Sequence, residues 1–172
     1  SDFRSINPSI PYQRIQHQKI ALDNSFRMGT GRLTLVTGYQ RNQRKEYGNV
    51  LDPGEEELYF DLGTFSYNAQ YHFAEKNNWK TTFGVNGMSQ ASSNKGEEQL
   101  IPEYSLFDIG TFLYTKKRFN QLTLSGGLRY DSRSLHSKEF ADGTDIKFEG
   151  FKKKFSNISG SAGLTYETSK IA

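Results

Sequence analysis

Apolar residues in this chain recur at every second position and on one side only. The clearest stretch sets Leu122, Leu124, Gly126, Leu128 and Tyr130 against Gln121, Thr123, Ser125, Gly127, Arg129 and Asp131. Successive side chains of a strand point to opposite sides of a sheet, so such a segment has one greasy face and one wet face. Several strands of this kind, joined by turns of unequal length, are the sequence signature of a β-barrel wall in a membrane.

Alternation and turn signals predict about seven strands. The first, near residues 14–27, carries Ile20, Leu22 and Phe26 on one side and His17, Lys19, Asp23 and Ser25 on the other. Met28-Gly-Thr-Gly31 is a short turn whose glycines tolerate positive φ. The second strand, near 32–45, aligns Leu33, Leu35, Thr37 and Tyr39. A longer loop follows through Leu51-Asp-Pro-Gly-Glu-Glu56, where Pro presets φ and Gly relieves the next position. In the third strand, near 57–73, Phe65, Tyr67, Ala69, Tyr71 and Phe73 alternate with Thr64, Ser66, Asn68, Gln70 and His72. Earlier in it the phase reverses, with Leu58, Phe60 and Leu62 on the side of Thr64. A bulge accounts for that, or a strand that rises above a membrane, where the rule lapses.

A second short turn, near 74–78, leads to Trp79, Thr81, Phe83 and Val85 opposite Lys80, Thr82, Asn86 and Gln90. After a loop near 91–98, the fifth strand (104–115) is ambiguous: Phe107, Ile109 and Leu113 compete with Leu106, Phe112 and Tyr114. A third short turn, near 116–120, precedes the sixth strand, and the longest loop spans 132–154. Within that loop Asp142-Gly-Thr-Asp145 reads as a hairpin tip; it lacks the spaced acidic ligands of a calcium loop. The seventh strand sets Ile158, Ala162, Leu164 and Tyr166 against Ser159, Ser161, Thr165 and Glu167. Connections alternate short and long, as in an up-and-down meander with short turns on one side of a membrane. Phe26, Tyr71, Phe73, Trp79, Tyr114 and Phe119 gather near the short turns, as a headgroup-level belt would.

Composition sharpens this. At 172 residues the chain suits one domain, rich in Tyr and Phe and strongly hydrophilic on average. No apolar run approaches the roughly 20 residues of a spanning helix. A barrel strand needs apolar residues only at alternate positions, which reconciles a polar chain with a lipid environment. A soluble all-β protein with a polar surface fits composition equally well. Cysteine is absent, which excludes disulfides, thiolate metal sites and Cys nucleophiles. The basic clusters at 41–45 and 152–154 fall in expected loops without any aromatic–basic nucleic-acid motif, so no nucleic-acid partner is expected. His17, His72 and His136 lie far apart, and no nucleophile elbow or phosphate loop is present. Neither enzyme chemistry, a cofactor nor a metal is expected. The start at Ser1 and the stop at Ala172, where another strand would begin, read as the edges of an excerpt.

Seven strings resemble the barrel domain of TonB-dependent outer-membrane receptors, especially those of Bacteroidetes-type bacteria. They are Pro11-Tyr-Gln-Arg-Ile-Gln-His17, Gly38-Tyr-Gln-Arg-Asn-Gln-Arg-Lys-Glu-Tyr47, Gly84-Val-Asn-Gly-Met-Ser-Gln90, Leu100-Ile-Pro-Glu-Tyr104 with Asp108-Ile-Gly-Thr-Phe112, Gly126-Gly-Leu-Arg-Tyr-Asp131 and Phe155-Ser-Asn-Ile-Ser-Gly-Ser-Ala-Gly-Leu-Thr-Tyr166. The resemblance implies a receptor of about 22 strands around a plug, importing a siderophore, haem, cobalamin or another scarce nutrient with energy from an inner-membrane complex. Residues 1–172 would then be a single barrel segment in the outer membrane of a Gram-negative cell, with no plug of their own. Expected partners are outer-membrane lipid, the parent's plug, its energy-coupling protein and a nutrient such as an iron chelate.

Three consequences are open to test. Thr64, Ser66, Asn68, Gln70, Thr82, Asn86, Gln90, Thr123, Ser125 and Arg129 are expected to face the lumen. Loops near 43–57, 91–103 and 132–154 are expected to face outward, with Arg41, Arg44, Arg133 and His136, and also Lys152, Lys153 and Lys154, as candidate contacts for an anionic ligand. An isolated piece would have two open edges, so it is expected to close into a small barrel or to dimerise by its strand edges. The rival reading is a soluble, lipocalin-like barrel with the face of Phe65 to Phe73 buried inside.

Overall fold

A computed structural model describes residues 9–142 and 145–168. Seven long strands form one antiparallel meander: β1 (Tyr12–Met28), β2 (Gly31–Tyr47), β3 (Leu58–His72), β4 (Trp79–Asn94), β5 (Tyr104–Phe119), β6 (Leu122–Ser137) and β9 (Phe151–Tyr166). Between β6 and β9, β7 (Phe140–Asp142) and β8 (Asp145–Phe148) make a separate hairpin. Asp142 pairs with Asp145 across the expected hairpin tip, whose residues 143–144 lie outside the described residues, as do 169–172.

The three short connections are tight for identifiable reasons. Gly29, at φ +59°, turns β1 into β2. Asn77 and Asn78 both have positive φ between the doubly hydrogen-bonded Lys76 and Trp79, a type I′ turn whose twist suits a hairpin. Asn120, also at positive φ, turns β5 into β6. That last turn is shorter than the sequence suggested, because β5 continues to Phe119.

The register is continuous from β1 to β9, so each face can be read straight across the sheet. One face carries Ile20, Leu22, Leu33, Leu35, Phe83, Leu113, Leu128, Ile158 and Leu164 in aligned positions. On each strand this apolar stretch runs about nine residues; at about 3.3 Å each and a tilt near 40° it stands roughly 23 Å tall, the height of a lipid-facing band. Aromatics edge it at both ends. Phe26, Phe73, Trp79, Phe119 and Tyr166 lie toward the short turns, and Tyr39, Phe65, Phe107 and Tyr130 toward the long loops. The second row was not anticipated. Tyr114, placed in the belt on sequence, lies on the opposite face, aligned with Thr82 and Gly127.

Four expectations change. First, no bulge reverses β3: Arg41 pairs with Gly63, Asn42 with Leu62 and Arg44 with Phe60 without a shift. The strand simply continues beyond the apolar band. Second, the long connections are shorter than expected, covering 48–57, 95–103 and 138–150. Arg41, Arg44, Arg133 and His136, and Lys152 to Lys154, therefore sit on strands rather than in loops. Past the band both faces are wet, so alternation vanishes while the backbone ladder persists. Third, the sheet is open rather than a small closed barrel: β1 and β9 each have a partner on one side only. Fourth, the lipocalin-like arrangement is not found. Phe65 is 44% exposed and Ile158 74%, and Tyr47 is the one buried apolar residue among those described. Among the described residues neither side of the sheet carries a packed interior.

Candidate functional site

The face opposite the apolar band is polar and concave. A cavity of about 690 Å³ runs across it from Ser66 on β3 to Phe155 and Asn157 on β9. A space spanning five neighbouring strands requires the sheet to curl toward that side. At its floor stand Asn86, Met88, Asp108, Gly110, Arg129, Asp131 and Arg133.

Two guanidinium–carboxylate pairs organise the cavity. Arg133 of β6 and Asp108 of β5 are direct cross-strand partners. Nε and Nη2 of Arg133 donate to the two carboxylate oxygens of Asp108, each at 2.7 Å. This fork matches a carboxylate in geometry as well as charge. Arg129 leans along its own strand to Asp131, with Nε donating at 2.7 Å. Its Nη2 also donates to Oδ1 of Asn86 on β4 at 2.8 Å. To get there Arg129 crosses β5 at Gly110, the residue between Asn86 and Asp131 in register. A Cβ on Gly110 would stand 2.3 Å from Nη2 of Arg129 and 2.4 Å from the Asp131 carboxylate. Glycine leaves that path open, and a larger residue would push the two side chains aside.

Neutral networks flank the charged ones. Gln90 donates to Thr64 at 3.0 Å and accepts from Tyr104 at 3.1 Å. Nearer the short turns, His72 lies between Thr34 and Thr82, at 3.3 and 3.1 Å. All the residues expected to face the lumen share this surface. The four basic candidates do not converge. Arg44 and Arg133 lie on the cavity side, several strands apart; Arg41 and His136 lie on the apolar band's side, beyond its edge. Sequence reading missed Asp108, Asp131, Asn157 and Phe155 as cavity residues. Asp131 stood on the wet face of its strand, but the mates of Asp108 become visible only with the register.

Beyond the band on the other face, a second network ties the long loops to the strands. The carboxylate of Asp61, 8% exposed, receives Nε of Arg41 at 2.8 Å and Nζ of Lys95 at 2.7 Å. Gln43 donates to the Tyr59 hydroxyl, and Lys45 and Lys95 both approach the Tyr59 ring. Glu56 binds Lys45 at 2.6 Å, and that hydrogen bond, first among its causes, holds the Glu56 carboxyl below its ordinary range. Glu103 behaves alike. The hydrogen bond from Lys138, then that from the Asn94 backbone, outweighs the cost of burial and lowers its pKa.

An open meander with a lipid-height apolar band on one face and a charged cavity on the other is the architecture of a barrel wall. The sequence matches the family model described as TonB dependent receptor-like, beta-barrel, over residues 3–171. The chain belongs to this family. TonB-dependent receptor barrels are receptors and transporters of the Gram-negative outer membrane, not an enzyme family. Among solved structures, the ferric yersiniabactin uptake receptor FyuA from Yersinia pestis shares the fold, with a TM-score of 0.57 at 10% identity. The match covers 93% of this chain and 27% of that receptor, so the chain spans about a quarter of its length. None of the curated proteins searched matches this TonB-dependent receptor barrel sequence.

Proposed function

We propose that this chain forms seven neighbouring strands in the wall of an outer-membrane receptor that imports a scarce nutrient, such as a siderophore, haem or cobalamin, into a Gram-negative cell. Residues 1–172 act as one wall segment, and its partners are lipid on one face and the receptor's plug on the other. The energy-coupling protein reaches the plug from the periplasm. The observation that carries the reading is the opposition of the two faces across one unbroken register: exposed Leu, Ile, Phe and Tyr on one side, the Arg129 and Arg133 pairs on the other. Of the basic candidates, Arg44 and Arg133 face the cavity, where an anionic iron chelate would compete with Glu46 and Asp108 for them.

This chain contains no Cys, so in a receptor whose other cysteines are replaced by serine a direct test is simple. Single cysteines are placed in the receptor at Leu22, Leu128 and Ile158, and separately at Asn68, Ser125 and Ser159. The first set should react with a maleimide confined to the lipid phase, the second only with a water-soluble one. Equal labelling of both sets from water would defeat the proposal. The transport function is tested apart, by nutrient-limited growth of cells with and without the receptor.

A further inference from the structure

Ten Lys and Arg side chains stand on β2 to β6. Seven are held by carboxylates, and Lys117 donates to the Asn77 carbonyl at 2.9 Å. The other two, Arg32 on β2 and Lys116 on β5, have no ion pair or hydrogen-bond partner among the described residues. Both strands have neighbours on each side, so no missing strand explains the deficit. Although two strands lie between them, the two cations line one cavity of about 360 Å³, at the short-turn end of the face opposite the apolar band.

Register brings them together. Arg32 heads a row that continues through His72, Thr82 and Tyr114, and Lys116 follows Tyr114 on the same face of β5. The Tyr114 hydroxyl, which also lines the cavity, has no hydrogen-bond partner among the described residues either. The neighbouring polar groups are already engaged. Lys80 is bound to Glu75, the one carboxylate among the described lining residues, at 3.0 Å, and His72 lies between Thr34 and Thr82. Scattered solvated charges would not single out the two that share a cavity.

The unsatisfied groups select the partner. Arg and Lys can only donate, and the Tyr hydroxyl can donate as well. Lys116 lies directly across from Lys80, and Arg32 directly across from Arg27. Like charges in opposite positions on a sheet repel, and an anion between them turns that repulsion into attraction. A neutral ligand would leave the charge uncompensated, and a cation would be repelled. A group with several anionic oxygens meets charge and hydrogen bonding together, with the Arg fork taking two oxygens and the Lys acting as a point charge. Arg32 and Lys116 are both exposed, so such a group can reach them. Resting on the reading of this face as the barrel lumen, we infer that Arg32, Lys116 and Tyr114 form a site for an oxyanion, a carboxylate or phosphate group, at the short-turn end, which is periplasmic in such barrels. An Asp or Glu of the plug is one source of that group and free phosphate the other.

The test uses the receptor that contains this wall, purified in neutral detergent. A carbodiimide joins a Lys amine to a carboxylate in direct contact with it, and peptide mass spectrometry locates the link. A link from Lys116 to an Asp or Glu of the plug in the native protein identifies that carboxylate as the bound group; a link to Glu75 alone counts as none. Where no plug link forms, inorganic phosphate should bind saturably by phosphorus NMR, and about tenfold more weakly to Arg32→Gln with Lys116→Gln. Lys153→Gln, at the far end of the same face, should bind phosphate as the native protein does. The inference is overturned if Lys116 links to no plug carboxylate and phosphate does not bind. It is overturned equally if, without a plug link, phosphate binds the double variant as tightly as the native protein or Lys153→Gln weakens it as much. The cross-link needs no substitution, so a variant that fails to fold leaves the test intact. Ile158→Cys labelling from the lipid phase separates the two levels. If it persists with neither link nor phosphate binding, the wall stands and the oxyanion site falls.

Discussion

The guanidinium of Arg129 occupies the space that a side chain on Gly110 would need. The two residues belong to adjacent strands, and the missing Cβ lets β6 reach β4 over the top of β5.

Gly110→Ala should therefore move Arg129 away from Asn86, and because the atoms in the way are the ends of two part-exposed side chains, the cost should be that of the lost bridge, about 0.5–1 kcal/mol. In an Arg129→Ala background the same change should cost less, since the bridge to Asn86 is already gone and the Asp131 carboxylate, no longer held by Arg129, can swing aside. Equilibrium unfolding of the four proteins of this double-mutant cycle checks it; additive effects would mean that the two residues are independent.

Arg133 and Asp108 should contribute less than their geometry suggests. Arg133 is half exposed, so solvent screens the pair. A double-mutant cycle with Arg133→Ala and Asp108→Ala should give a coupling of about 0.5–1 kcal/mol, shrinking in high salt. A coupling of several kcal/mol, insensitive to salt, would point to a drier cavity than the open sheet provides.

Charge on the two faces should have unequal consequences. Leu35 and Val36 are consecutive on β2 and point to opposite sides. Leu35→Lys, near the middle of the apolar band, should lower folding stability in bilayers by about 2–4 kcal/mol, and Val36→Lys by far less. Denaturant titration from lipid vesicles measures both; equal losses would contradict the assignment of faces.

Acid should loosen the long loops through Glu103. Its carboxylate is held below the ordinary range in the folded chain, chiefly by Lys138. A lowered folded pKa means that the contribution is fully present above the unfolded value, about 4.3, and disappears as pH falls through the folded one. Amide exchange at Asn94, whose N–H donates to Glu103, should accelerate below about pH 4 beyond its intrinsic trend. Glu103→Gln should remove that extra acid dependence.

Much of the fold was legible in residue order because the two faces of a barrel wall meet different solvents. Leu122 to Tyr130, Phe65 to Phe73 and Ile158 to Tyr166 kept strict alternation, and each stretch lies on the face expected. Legibility failed where the solvents became the same. Gln43 to Tyr47, Ser92 to Asn94 and Ser132 to Ser137 looked like loops, yet they are strands with water on both sides. β5 failed for another reason: both its faces carry large apolar residues. The pairing of Leu113 with Phe83 and Leu128 assigns Phe107, Ile109 and Leu113 to the lipid side, leaving Leu106, Phe112 and Tyr114 on the cavity side.

Residue order by itself determined the seven long strands, the three tight turns and the chemistry of each face, since these depend on neighbours one or two positions apart. Only the tertiary structure decided which charges meet. Asp108 and Arg133 are 25 residues apart, and Asn86 and Arg129 are 43 apart. Their partnerships depend on backbone register across several strands, and on a glycine that leaves space between them. Sequence periodicity carries no measure of either.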